Sequence, residues 1–150
     1  MQRLWNQPLT AQKADDSYFY GLSHYQLMLK NFLFVALGGA LGASLRYGVA
    51  LLGAYFGTSS HTVTFLINIL GSFLLGFLTA MAPPGSLFMF AAIGVCGSFT
   101  TFSTYSVHSV TLLQEGRYGA AAVYIVGTVI LCLILAWVGI IAGQRMSSHI

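Results

Sequence analysis

The sequence predicts an all-α membrane protein of four transmembrane helices, the third broken at mid-membrane. Three observations carry this. Hydrophobic residues fill 57% of the 150 positions and charged residues 6%, where a soluble domain carries about 25% charge. Four apolar segments can be drawn, at roughly 32–52, 62–82, 86–113 and 119–141, each exceeding the roughly 20 residues a helix needs to cross the hydrocarbon core. The third segment also holds a run of glycines and hydroxyls, Gly94 to Tyr105, that is costly at membrane depth unless it lines something.

Residues 1–30 read as a polar N-terminal extension before a four-helix domain at 31–145. Arg3, Lys13, Asp15, Asp16 and Lys30 stand there among Trp5, Tyr18, Phe19, Tyr20 and Tyr25, without the apolar core of a signal peptide. The extension is either a mobile tail or an interfacial anchor. A shorter product starting at Met28 is expected to be complete, since all four apolar segments follow it.

In the first span, Gly38 and Gly42, like Gly39 and Ala43, are four apart, a spacing that lets two helices approach closely. Arg46, the only formal charge between Lys30 and Glu115, lies near the end of this span. It either snorkels to the interface or turns inward and attracts anions. The second span carries Thr64, Asn68, Ser72 and Gly76, again four apart, as one polar and small stripe. That stripe serves as glue between helices, or Asn68 donates to a passing ion. Pro83-Pro84-Gly85 forms a tight turn, making spans two and three antiparallel neighbours.

The third span is the unusual one. Seven of the twelve residues from Ser98 to Ser109 are Ser or Thr. Phe102 and Tyr105 fall on one helical face, as packing aromatics or as rings whose positive edges meet an anion. After the loop Gln114 to Gly119, the fourth span carries Tyr124, Thr128 and Cys132 at fourfold spacing, then Gly139 and Gly143. Cys96 and Cys132 have no metal-ligand spacing and read as small buried side chains.

Charge narrows the function. The net charge is +3, but its positives are scattered, which argues against nucleic acid. No Asp or Glu occurs from Ser17 to Gln114 or after Glu115. A proton-coupled transporter keeps a carboxylate in the membrane, and a hydrolase needs an acid to orient its histidine. No phosphate-binding or dinucleotide motif offers energy coupling. Passive movement of something small is left, or a structural role; no enzyme is expected. One Arg, many hydroxyls and an amide suit an anion better than a cation. The Lys/Arg bias across the membrane is nearly nil, so copies inserted both ways are expected to form an antiparallel dimer.

Three motifs carry a family resemblance: Gly39-x-x-Gly42-Ala43-x-x-Arg46-Tyr47, Asn68-x-x-Gly71-Ser72-Phe73 and Gly94-x-Cys96-Gly97-x-Phe99-Thr100-Thr101-Phe102-Ser103-Thr104. Together with Leu112 to Gly119 they resemble the Fluc (CrcB-like) fluoride channel family over about residues 30–143. The resemblance implies a dual-topology homodimer in the bacterial inner membrane, with two antiparallel pores that export fluoride passively. It also implies a structural sodium ion at the dimer centre, held by the backbone carbonyls of Gly97 and Thr100 from both copies. It places Asn68, Phe102, Ser103, Thr104, Tyr105, Tyr124, Thr128 and Arg46 along the fluoride pathway, with Cys132 a weaker donor. Tyr105 stands where the family has a second phenylalanine, and His108 where relatives often carry Glu. A histidine there is expected to ease anion entry and make flux sensitive to pH near about 6–7. The alternatives are a small assembly protein built on its glycine faces, or one half of a heterodimeric channel.

Overall fold

The computed structural model describes residues 9–148, with side chains from residue 24 onward. Helix α1 runs Leu9–Tyr55 and α2 Ser60–Met81. The third span is segmented into α3 (Ser86–Phe88), π-helical turns over Met89–Cys96, α4 (Gly97–Phe99) and α5 (Phe102–Gln114). Helix α6, Tyr118–Ser147, completes the fold. Among the described residues, four helical stretches are long and apolar enough to cross a membrane: His24–Tyr55, Ser60–Met81, Ser86–Gln114 and Tyr118–Ser147.

The first helix is longer than its apolar stretch, because no proline interrupts the chain between Pro8 and Pro83. Its backbone shows no break at the expected 30/31 boundary. The expected mobility of the extension concerns residues 1–8, and side chains up to residue 23, that lie outside the described residues. Gly57, at φ +67°, turns the chain into α2, and Gly116, at φ +70°, turns it into α6. Both need the left-handed backbone that glycine adopts without a Cβ clash.

The expected pairing of spans two and three is only part of the packing. α2 lies along α6, α1 lies along the first half of span three, and α2 meets span three along its π-helical turns and on both sides of the break. Small residues make both long contacts possible. A Cβ on Gly38 or Gly42 would overlap the carbonyls of Phe90 or Val95, and one on Gly94 would come within 2.8 Å of the Gly38 Cα. On the other seam, Cβ atoms on Gly76 and Gly139 would overlap the carbonyls of Ala136 and Phe73. Backbone meets backbone in both places, so neither side has a flexible atom to move away.

The interior is small. Val63, Ile67 and Phe99 form one buried cluster, and Tyr105, Leu112, Ala121 and Tyr124 form another. Large apolar side chains such as Leu133, Trp137 and Val123 face outward, as a chain solvated by lipid allows.

The break, expected over Gly97 to Thr100, lies at the C-terminal end of that stretch. Gly97 is helical (φ −62°, ψ −34°), and the extended residues are Thr100 and Thr101. Two adjacent β-branched residues disfavour the helix. The Thr100 hydroxyl also donates back to the Cys96 carbonyl at 3.1 Å, a bond that bends helices. Thr101 then caps α5 by accepting the Thr104 N–H.

Gly139→Val is expected to lower the thermal stability of the detergent-solubilised protein by about 1–3 kcal/mol or to prevent folding. Gly127→Val, where a Cβ meets nothing within 4 Å, is the matched comparison in the same melting experiment.

Candidate functional site

The break is held from α2. Asn68 is buried and faces it, its Oδ1 accepting the Thr101 N–H at 2.8 Å and its Nδ2 donating to the Thr101 carbonyl at 3.2 Å. One turn along, a Cβ on Gly71 would overlap the Thr100 methyl. Within the stripe expected on span two, Asn68 seats the break, with Gly71 beside the stripe making room for it, while Gly76 packs on α6.

This clamp redistributes backbone hydrogen bonds. An unbroken helix would pair the Gly97 carbonyl with the Thr101 N–H, and the Thr100 carbonyl with the Thr104 N–H. The first donor goes instead to Asn68 and the second to the Thr101 hydroxyl. Gly97 and Thr100 thus lose their helical partners, and they are the two residues whose carbonyls were expected to meet a cation. Gly97 is exposed on the single chain and Thr100 half-buried.

The aromatic pair is close but unequally placed. The rings of Phe102 and Tyr105 lie 5.5 Å apart. Phe102 is 78% exposed and Tyr105 only 8%. The Tyr105 hydroxyl donates to the Ile125 carbonyl at 3.1 Å, tying α5 to α6. Its ring lies 5.5 Å from that of Tyr124, whose hydroxyl is buried without a partner. Ser103 is exposed, and Thr104 is half-buried and hydrogen-bonded to the Thr101 hydroxyl.

Other hydroxyls are turned into their own helices. Ser106, Ser109 and Thr128 donate to the carbonyls of Phe102, Tyr105 and Tyr124, one turn back. These bonds satisfy the hydroxyls locally, so their number overstates the donors available to an ion. Cys132 is half-buried on α6.

Arg46 is half-buried on α1. It lines a cavity of about 330 Å³ between α1, α2 and α5, together with Thr64, Thr101, Thr104 and His108. The cavity joins one cation to the end of the hydroxyl-rich segment. Sequence reasoning passed over Thr101 and His61. The Thr101-x-x-Thr104 spacing of a helix cap marks the first; nothing in the sequence singles out His61.

The sequence profile of the family described as CrcB-like protein, Camphor Resistance (CrcB), matches residues 33–140. The chain belongs to the CrcB-like family. Among similar proteins, one from Opitutus terrae is 38% identical over 78% of this chain and 95% of its own. One from Thermus thermophilus is 42% identical over 79% of this chain and 98% of its own. One from Listeria monocytogenes is 44% identical over 77% and 99%. The first two are named fluoride-specific ion channel FluC and the third FluC 1. Within this CrcB-like chain, the matched stretch contains every expected site residue and both packing seams up to Gly139, and four apolar spans make it a multi-pass membrane protein.

Asn68→Asp keeps an acceptor for the Thr101 N–H but sets an oxygen against the Thr101 carbonyl. The loss is expected to destabilise the protein by about 1–3 kcal/mol, read as a fall in melting temperature, with Asn68→Ser losing less because it carries no charge.

Proposed function

We propose that the protein is a fluoride-selective channel through which fluoride leaves the cytoplasm passively, formed by two oppositely inserted copies in a bacterial inner membrane. The observation that carries this reading is the outward-facing break. Gly97, Phe102 and Ser103 are exposed on the single chain, beside carbonyls stripped of their helical partners. Unpaired backbone at membrane depth costs several kcal/mol per group in contact with lipid. It is tolerable where a second copy or an ion covers it. The relatives' names favour fluoride as the ion that passes.

A structural sodium fits the groups available. The carbonyls of Gly97 and Thr100, supplied by both copies, would hold it, and the ion would supply positive charge that offsets their dipoles. Arg46 draws the anion into its cavity, where the Thr64 and Thr104 hydroxyls lie at hand. The Asn68 amide keeps one N–H beyond the bond to Thr101. Phe102, outward beside Ser103, offers a ring edge where the copies meet. Selectivity over chloride then follows from a narrow donor set that replaces the hydration of a small anion but not of a larger one.

The glycine seams that an assembly protein would offer to partners are used inside this chain, between α1 and span three and between α2 and α6. That favours the channel over the assembly reading.

Vesicles containing only the purified protein are expected to release fluoride and to retain chloride, as followed with ion-selective electrodes. Phe102→Ile is expected to reduce release to the level of protein-free vesicles. Silence from well-folded wild-type protein would favour the heterodimeric channel or the assembly protein. Replacing sodium with a large organic cation during purification is expected to shift the protein from dimer toward monomer, measured by light scattering.

A further inference from the structure

A second cavity, of about 320 Å³, lies beside the one that holds Arg46. Ser60, His61, His108, Glu115 and Arg117 line it. The two cavities share two lining residues, Ser60 at the start of α2 and His108 on α5. Ser60 and His108 therefore stand where the inner cavity, which holds Arg46, adjoins the outer one, which holds Glu115 and Arg117. His108 is half-buried there, and its Nδ1 is out of reach of the surface without a hydrogen-bond partner.

We propose that Ser60 and His108 form a neck that binds a small monovalent anion, and that a proton on His108 sets how fast the anion enters. The inference rests on the channel reading above. Imidazole changes charge close to neutral pH. Neutral, it leaves the neck without a formal charge; protonated, it puts a cation between the outer cavity and Arg46.

Titratable and charged groups face His108 from every element packed against it. From α1, Arg46 faces it across the inner cavity. From α2 comes His61, whose Nε2 is bonded to the Ser59 hydroxyl at 3.1 Å. Beyond α5, Glu115 and Arg117 line the outer cavity and pair with each other at 3.2 Å. From α6, Tyr124 sets its ring 6.4 Å from the imidazole. Among the described residues, no carboxylate besides Glu115 lines either cavity, and Glu115 already has its cation. A proton on His108 therefore acts on a passing anion without a neighbouring carboxylate to cancel it. The buried, unpartnered Tyr124 hydroxyl and His108 Nδ1 leave polar groups beside the neck that nothing within the chain uses.

The experiment is fluoride current through planar bilayers at subsaturating fluoride, with equal pH on both sides. Current counts charged species only, so uncharged hydrogen fluoride does not contribute. Between pH 8 and pH 5.5 the wild-type current is expected to rise about tenfold, at the lower end of electrostatic effects on association. His108→Gln is expected to conduct without this step, and His108→Lys to conduct at the higher level at both pH values. A wild-type current equal at the two pH values overturns the proposal while leaving the channel reading intact. So does a step that survives in His108→Gln, or in His108→Asn should the glutamine variant fail to assemble. Absence of fluoride current at both pH values removes the homodimeric-channel reading and the proposal with it.

Discussion

Two hydrogen bonds between the Asn68 amide and the backbone of Thr101 hold span three open. Their effect reaches further than the residue they touch. By taking the Thr101 N–H, Asn68 removes the partner of the Gly97 carbonyl; by capping α5, Thr101 removes the partner of the Thr100 carbonyl. The break thereby becomes a polar surface that lipid cannot solvate. The tight seams elsewhere serve this constraint. Gly71 leaves room for Thr100, and the glycine contacts of α1 with span three and of α2 with α6 fix the helices that carry both ends of the clamp.

The four spans were legible because bilayer thickness demands long apolar runs, and few other structures satisfy that demand. The small-residue seams were legible for a related reason: close helix approach in lipid leaves a fourfold spacing of glycines in the sequence. Which seam faces which helix was not legible. Gly38 and Gly139 carry the same local pattern, yet one meets span three and the other meets α2. The turn at Pro83 to Gly85 suggested the neighbour in sequence, whereas packing is decided by complementary surfaces along whole helices.

At the site, residue types were easier to read than their connections. The hydroxyl density marked the right segment, and Asn68 stood out as the one amide at mid-span. Its bonding to Thr101 spans 33 positions, which no local pattern reports. The break lies at the end of the expected Gly97–Thr100 stretch, where the β-branched Thr100–Thr101 pair and its capping hydroxyl disfavour the helix. Counting hydroxyls as ion donors also overlooked the bonds that Ser106, Ser109 and Thr128 make to their own helices. Arg46 had two possible directions in sequence, and its place in one cavity with Thr104 and His108 is a tertiary fact that no local pattern reports.

The central claim is that the outward face of the break meets a second copy and its ions, and not lipid. Collision rates of a nitroxide spin label at Ser103, measured in reconstituted membranes by electron paramagnetic resonance, test it most directly. Dissolved oxygen concentrates among lipid tails, so a label facing lipid collides with it often. The account predicts infrequent collisions with oxygen, below those of a label at the outward-facing Leu133 on α6. Oxygen collisions at Ser103 as frequent as at Leu133 would contradict it, because the unpaired carbonyls of the break would then lie against lipid.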